Sequence, residues 1–320
     1  MANSDLTPTE PLHPLLVEGV KARRARPAFP DVAPDVAKAM FEEMQANPSR
    51  MPEVVVVEAI EVAGAAGPLH ARLYRPGVSA AAPLIVYFHG GGFVLGSYDT
   101  HDRNARRLAI ATGAIVVSVN YRLAPEHPFP AAPDDADAAL ADLSARAEGL
   151  GADPDRVFVA GDSAGATLAI AAVLPGIGER GRQPAGLIAF YPVTDMTAIG
   201  VGESYRAFGD GNVGLSTADM LWFRGLYAPD PDQWNDPRCS PLAADVADLA
   251  GLPPTLIVTA AYDVLAQDGA LFAARLATAG VTVTYRHVQG VNHGFIGVPT
   301  PPPGTIAAYE AVAEWMERVG

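Results

Sequence analysis

Short runs rich in β-branched and aromatic residues recur along the chain from residue 54 onward. They read VVVVEAIEV at 54–62, LHARLYR at 69–75, PLIVYFHG at 83–90, AIVVSVNY at 114–121, RVFVAG at 156–161, GLIAFYP at 186–192, TLIVTA at 255–260 and VTVTYRHV at 281–288. Most are continuously apolar rather than alternating, which is the pattern of strands covered on both faces. Between them, apolar residues fall at helical spacing and predict helices over 102–112, 134–148, 164–174, 266–279 and 305–318. In APDDADAALADLSARA the acids cluster near the start, where the helix dipole favours them. AQDGALFAARLATAG ends on Gly280, a residue suited to a helix C-cap. Strands alternating with helices predict an α/β fold, with a mostly parallel eight-stranded sheet and helices on both faces.

Two stretches break the rhythm. Residues 1–50 are proline-rich, with helical patterns near 13–25 and 34–46. Residues 196–245 hold several glycines and no sheet-like run, and Tyr205, Trp222 and Tyr227 are expected to face a cavity there. Both stretches are expected to pack over the main domain rather than to fold apart from it. Trp222, Phe223 and Tyr227 fall at roughly helical spacing, which suits either ordinary packing or a lid over a pocket.

Composition narrows the function. A chain of 320 residues, 49% hydrophobic and 18% charged, can bury one large core. Its formal net charge of −14 repels phosphate backbones, so no nucleic-acid partner is expected. The densest basic patch, KARRAR at 21–26, reads as a solvated helix end. The single cysteine, Cys239, leaves no intrachain disulfide framework and no multi-cysteine zinc site. The segment MANSDLTPTEPLHPLL lacks the basic and apolar regions of a signal peptide, and no apolar run approaches a membrane span. No membrane partner and a cytoplasmic location are the expectations.

The candidate chemistry begins at VFVAGDSAGATLAI, residues 157–170, where a strand pattern meets a helix pattern across G-x-S-x-G. A sharp strand-to-helix turn there would lift Ser163 above the sheet edge, with glycines two residues either side leaving room for the backbone. A serine needs a base and a group to orient that base. Asp263 lies three residues past the run TLIVTA, and His293 follows the last strand pattern, giving the chain order serine, acid, histidine. His287, the other downstream histidine, sits inside a strand pattern. His89-Gly90-Gly91-Gly92-Phe93 directly follows PLIVYF, so backbone N–H groups of Gly91 and Gly92, with that of Ala164, are candidates for an oxyanion hole.

These features together resemble the hormone-sensitive-lipase branch of the α/β-hydrolase fold, the bacterial family IV carboxylesterases. The resemblance rests on HGGGF at 89–93, YRLAPEHPFPAAPDDADAAL at 121–140, GDSAG at 161–165, the aspartate of AAYDVL and NHGF, and it runs from about residue 54 onward. It implies Ser163 as nucleophile, His293 as general base and acid, and Asp263 as orienting carboxylate. His89 is implied to anchor the glycine loop, and YRLAPEHPFP, with Glu126 and His127, to be structural. The family also implies a cap formed by residues 1–50 and 196–245, over a catalytic domain of residues 51–195 and 246–320. It implies hydrolysis of short- to medium-chain carboxylic esters without cofactor or metal, and a possible homodimer through the edge strand VTVTYRHV.

Phe93, Tyr191 and Val264 are the expected pocket residues. This chain departs from the family at Val264, where proline is usual after the aspartate, at Gln267, where an acid is common, and at Ala166, commonly glycine. The same machinery also serves amidases, lactonases and natural-product deacetylases. A non-catalytic receptor on this fold would be expected to lack the histidine. Residues 209–214, GDGNVG, match a dinucleotide-binding string but lack the preceding strand, and no metal-ligating cluster stands out.

Overall fold

The structure is a computed structural model that describes residues 6–45, 51–77, 81–174 and 183–320. Eight strands form one sheet: β1 (Val56–Gly64), β2 (Gly67–Arg75), β3 (Ala82–Phe88), β4 (Ile115–Val119), β5 (Ala152–Asp162), β6 (Gly186–Phe190), β7 (Thr255–Tyr262) and β8 (Val283–Asn292). Their spatial order is β1-β2-β4-β3-β5-β6-β7-β8. β2 pairs antiparallel with both β1 and β4, and every other pairing is parallel.

The continuous apolar runs are explained by burial on both sides. In β3, Leu84, Val86 and Phe88 point into one core while Ile85 and Tyr87 point into another, and all five are fully buried. β5 divides the same way, Val157 and Val159 against Phe158 and Ala160. With both faces apolar, the period-two signal disappears from the sequence although the side chains still alternate.

The first core is closed by α4 (Ala131–Ala145), α5 (Ala164–Ala171) and α9 (Ala266–Thr278). The second is closed by α3 (Asp102–Thr112) and α10 (Pro303–Val319). α5 is buried at every position, which accounts for its unbroken run of small and apolar residues. β5 starts at Ala152, ahead of the apolar run, because Ala152 pairs with Ala82 across an irregularity in the β3 ladder.

The two stretches outside the sheet pattern meet each other. α1 (Pro14–Arg24) and α2 (Pro34–Gln45) flank Phe29, which stacks on Trp222 at 6.1 Å and lies 6.2 Å from Phe223. Both aromatics belong to α7 (Thr217–Tyr227), which follows the short α6 (Glu203–Phe208) and precedes α8 (Val246–Leu249). Ser216 starts α7 with a reciprocal capping box to Asp219. Because β3, β5, β7 and β8 run parallel, the segments leaving them emerge at one edge of the sheet, which is where open α/β sheets place their ligand sites.

Candidate active site

Ser163 joins β5 to α5 with φ 54° and ψ −122°, a conformation disfavoured for a residue with a side chain. The turn closes only because its neighbours are glycines. A Cβ on Gly161 would lie 2.1 Å from the Gly165 carbonyl oxygen, and one on Gly165 would lie 2.0 Å from that of Phe88. The Ser163 N–H donates to the Phe190 carbonyl of β6 at 2.8 Å, so the turn is also tied to the neighbouring strand.

His293 follows β8 directly and Asp263 follows β7. His293 Nε2 lies 3.0 Å from Ser163 Oγ, and Nδ1 lies 2.7 Å from Asp263 Oδ2. A carboxylate can only accept, so Nδ1 carries the proton and Nε2 is left to accept from the serine hydroxyl. Asp263 is buried, and its other oxygen accepts the Leu265 N–H at 2.9 Å. This bond positions the acid without the usual proline. Val264 packs in the core, while the Gln267 side chain accepts the Glu203 N–H at 2.8 Å and the Gln267 backbone N–H donates to the Ser204 hydroxyl.

The glycine loop needs its glycines. Gly91 has φ 119° and Gly92 has φ 62°. A Cβ on Gly91 would meet the Leu95 carbonyl oxygen at 2.1 Å, and one on Gly92 would meet the Phe223 ring at 2.2 Å. His89 anchors the loop: Nδ1–H donates to the Gly90 carbonyl at 2.8 Å, the ring stacks on Tyr121 at 4.4 Å, and the Tyr121 hydroxyl donates to the His89 carbonyl at 2.7 Å. Burial, reinforced by neighbouring His101, pushes His89 down to about 3, so it stays neutral.

Asp162 was not singled out by the sequence, yet it ties the serine turn to the glycine loop. Its Oδ1 accepts the Gly90 N–H at 3.0 Å and the Tyr87 hydroxyl, and Oδ2 lies 3.6 Å from His101 Nε2. Burial raises this carboxyl, but His101 and the Tyr87 hydrogen bond outweigh it and hold the group below the usual carboxylate range. The available signal was an acid among small residues at the variable position of G-x-S-x-G, where a buried charge demands several partners.

Ser163, His293, Gly91, Gly92 and Phe93 open onto a cavity of about 600 Å³. Ala164 is the first residue of α5, where a backbone N–H has no partner within the helix. Two expected pocket residues lie elsewhere. Tyr191 and Val264 are fully buried and do not line the cavity. Tyr191 has φ 38°, which turns its ring beneath His293 at 4.7 Å with the hydroxyl 3.5 Å from Asp162. Val264 follows Asp263 into the first core. Of Tyr205, Trp222, Phe223 and Tyr227, only Phe223 lines the cavity; Trp222 stacks on Phe29, Tyr227 lies flat on Phe93 at 3.8 Å, and Tyr205 is buried away from it.

Among the described residues, no group of three or more His, Cys, Asp or Glu side chains is placed to hold a metal, and no helix is long and apolar enough to cross a membrane.

A mostly parallel sheet carrying a serine on a strained strand-to-helix turn defines a class, and comparison with known proteins agrees. Residues 85–297 match the family described as the alpha/beta hydrolase fold, and the chain belongs to that family in its hormone-sensitive-lipase-like branch. Esterase LipI of Mycobacterium tuberculosis (strain ATCC 25618 / H37Rv) is 41% identical over 268 residues, covering 80% of this chain and 80% of its own length. An ethyl acetate hydrolase of Pseudomonas putida is 38% identical over 232 residues, 71% of each chain. A hyperthermophilic esterase from the archaeon Pyrobaculum calidifontis superposes with a TM-score of 0.88 at 37% identity, covering 97% of this chain and 99% of its own.

Proposed function

We propose that the protein is a serine carboxylesterase acting on short- to medium-chain carboxylic esters through an acyl-enzyme. The observation that carries this is the hydrogen-bonded chain from Asp263 through His293 to Ser163, on a strained turn beside the glycine loop and open to the cavity. His293 takes the Ser163 proton as Oγ attacks the ester carbonyl carbon. The oxyanion that forms is held by the N–H groups of Gly91, Gly92 and Ala164; one such donor is worth roughly 10²–10³ in kcat. His293 then protonates the leaving alcohol, and afterwards takes a proton from the water that cleaves the acyl-enzyme. Asp263 stays ionised and holds the imidazole in the tautomer this sequence requires.

On this reading residues 1–50 and 196–245 make up the cap and residues 51–195 and 246–320 the catalytic domain; of these ranges, positions 1–5, 46–50, 78–80 and 175–182 lie outside the described residues. The bond type is supported by the named activities of relatives, esterases and an ethyl acetate hydrolase among them. A homodimer through β8, the outer strand of the sheet, and a cytoplasmic location belong to the same reading.

The experiment compares wild type and Ser163→Ala on p-nitrophenyl esters from acetate to palmitate. Turnover is expected to peak at short chains and to fall by at least ~10⁴ in the variant. A well-folded wild type that cleaves none of the series would overturn the proposal.

A further inference from the structure

The cavity holds a feature the esterase chemistry does not use. Arg224 of α7 lines it next to Phe223, whose ring covers Gly92 of the glycine loop. The Arg224 side chain is half-buried, and its Nη1 donates to the Met196 carbonyl at 2.7 Å. Its guanidinium lies 3.8 Å over the Trp234 ring. These contacts fix the plane of the group but use one of its five N–H donors.

Among the described residues, no carboxylate pairs with Arg224. Asp219, five residues earlier on the same helix, also lines the cavity; its Oδ2 accepts the N–H and hydroxyl of Ser216, and its buried Oδ1 has no hydrogen-bond partner among the described residues and does not pair with Arg224. Asp162 is occupied by Tyr87, Gly90 and His101.

A second unpaired guanidinium lines the same cavity from a different element. Arg23 of α1 lies 4.2 Å over the Phe29 ring and donates to the Pro27 carbonyl at 2.9 Å, again with no carboxylate among the described residues. Arg26, also at the cavity, is paired with Glu43 at 3.1 Å.

Acids outnumber bases 36 to 22 in this chain, so two guanidiniums left without an acid beside one mostly apolar cavity run against its average. Withdrawing a charge from water without an ionic partner costs free energy that bracing α7 does not require, since a neutral amide could donate to Met196 equally well. Burial pushes Arg224 below its usual range, yet a guanidinium remains charged near neutrality.

We propose that Arg224, assisted by Arg23, is an anion subsite of this cavity, and that the preferred substrates are esters carrying a carboxylate. The proposal rests on the esterase reading. Its test compares monomethyl adipate with methyl hexanoate, which differ by a carboxylate in place of the terminal methyl, following acid release at constant pH. Wild type is expected to favour the adipate in kcat/KM. Arg224→Gln, which keeps a donor for Met196, and Arg224→Met are expected to lower the adipate-to-hexanoate ratio by roughly tenfold to a hundredfold, as loss of a charged hydrogen bond predicts. Arg23→Met should lower it less.

Because the readout is a ratio, a general loss of activity from a loosened helix cancels. An unchanged ratio in both Arg224 variants, a wild-type preference for the hexanoate, or a loss confined to Arg23→Met would each overturn the assignment. Failure to cleave either ester would instead overturn the esterase reading itself.

Discussion

Asp268 shows how one buried side chain links geometry to pH. It sits in the first turn of α9, where Oδ2 accepts the N–H groups of Thr194 and Asp195 at 3.0 and 3.3 Å. Burial, with Asp195 and Asp263 nearby, still pushes its carboxyl up to about 7. A raised folded value means that the native state holds this proton over a range where the unfolded chain has released it. The contribution to stability is therefore full below about 4 and is lost as pH rises toward 7. Asp268→Asn removes that dependence, so its Tm relative to wild type is expected to rise between pH 4 and pH 8. Parallel thermal melts check this, and a constant difference would contradict it. The residue-level signal was absent from the sequence because desolvation depends on what surrounds Asp268, not on its neighbours in the chain.

At the level of elements, the glycine loop and α7 constrain one another. Gly92 faces a side chain, the Phe223 ring, whereas Gly91 faces the backbone oxygen of Leu95. Alanine at φ 62° costs about 1 kcal/mol by itself, and at Gly92 the ring clash adds to this. Gly92→Ala is expected to lower kcat in the native background and much less in a Phe223→Ala background, each rate taken relative to its parent. Gly91→Ala should show no such rescue. A double-mutant cycle on p-nitrophenyl butyrate measures the coupling, and equal losses in both backgrounds would exclude it. The tandem glycines were legible in the sequence. Which helix covers them was not, because Phe223 stands 131 positions beyond Gly92 and reaches the loop only once the chain between them has folded.

Across the whole molecule, Asp135 joins parts of the chain that are distant in sequence. It is fully buried on α4 and accepts from the Arg122 side chain at 2.8 and 2.9 Å, the Arg122 N–H at 3.0 Å and the Ala65 N–H at 3.0 Å. The β1–β2 turn, the segment after β4 and α4 are thereby fastened together. Arg122→Ala leaves a buried carboxylate without its cation and is expected to lower the unfolding free energy by about 3 kcal/mol. Urea denaturation checks this, and a loss within experimental error would show that the two N–H donors suffice. The sequence marked YRLAPEHPFP as structural, and this ion pair supplies a physical reason for its arginine.

The sequence by itself determined the sheet, the serine turn and the glycine loop, because each depends on local spacing: strand-length apolar runs, glycines two residues either side of Ser163, and three glycines after a strand. It also supplied Asp263 and His293 as candidates, through their order and their places after strands. Tertiary structure alone brought them to Ser163, His293 across 130 positions and Asp263 to His293 across 30. The same step decided what the sequence misplaced. Val264 follows Asp263 in the chain and Tyr191 follows the end of β6, but both face the core, since a side chain's direction at a strand end is set by backbone angles such as the φ of 38° at Tyr191. Trp222 and Phe223 are adjacent on α7 and both approach Phe29, but only Phe223 of the two lines the cavity, because successive helix positions point in different directions. Local pattern fixes which elements form; only the packed molecule fixes where each face looks.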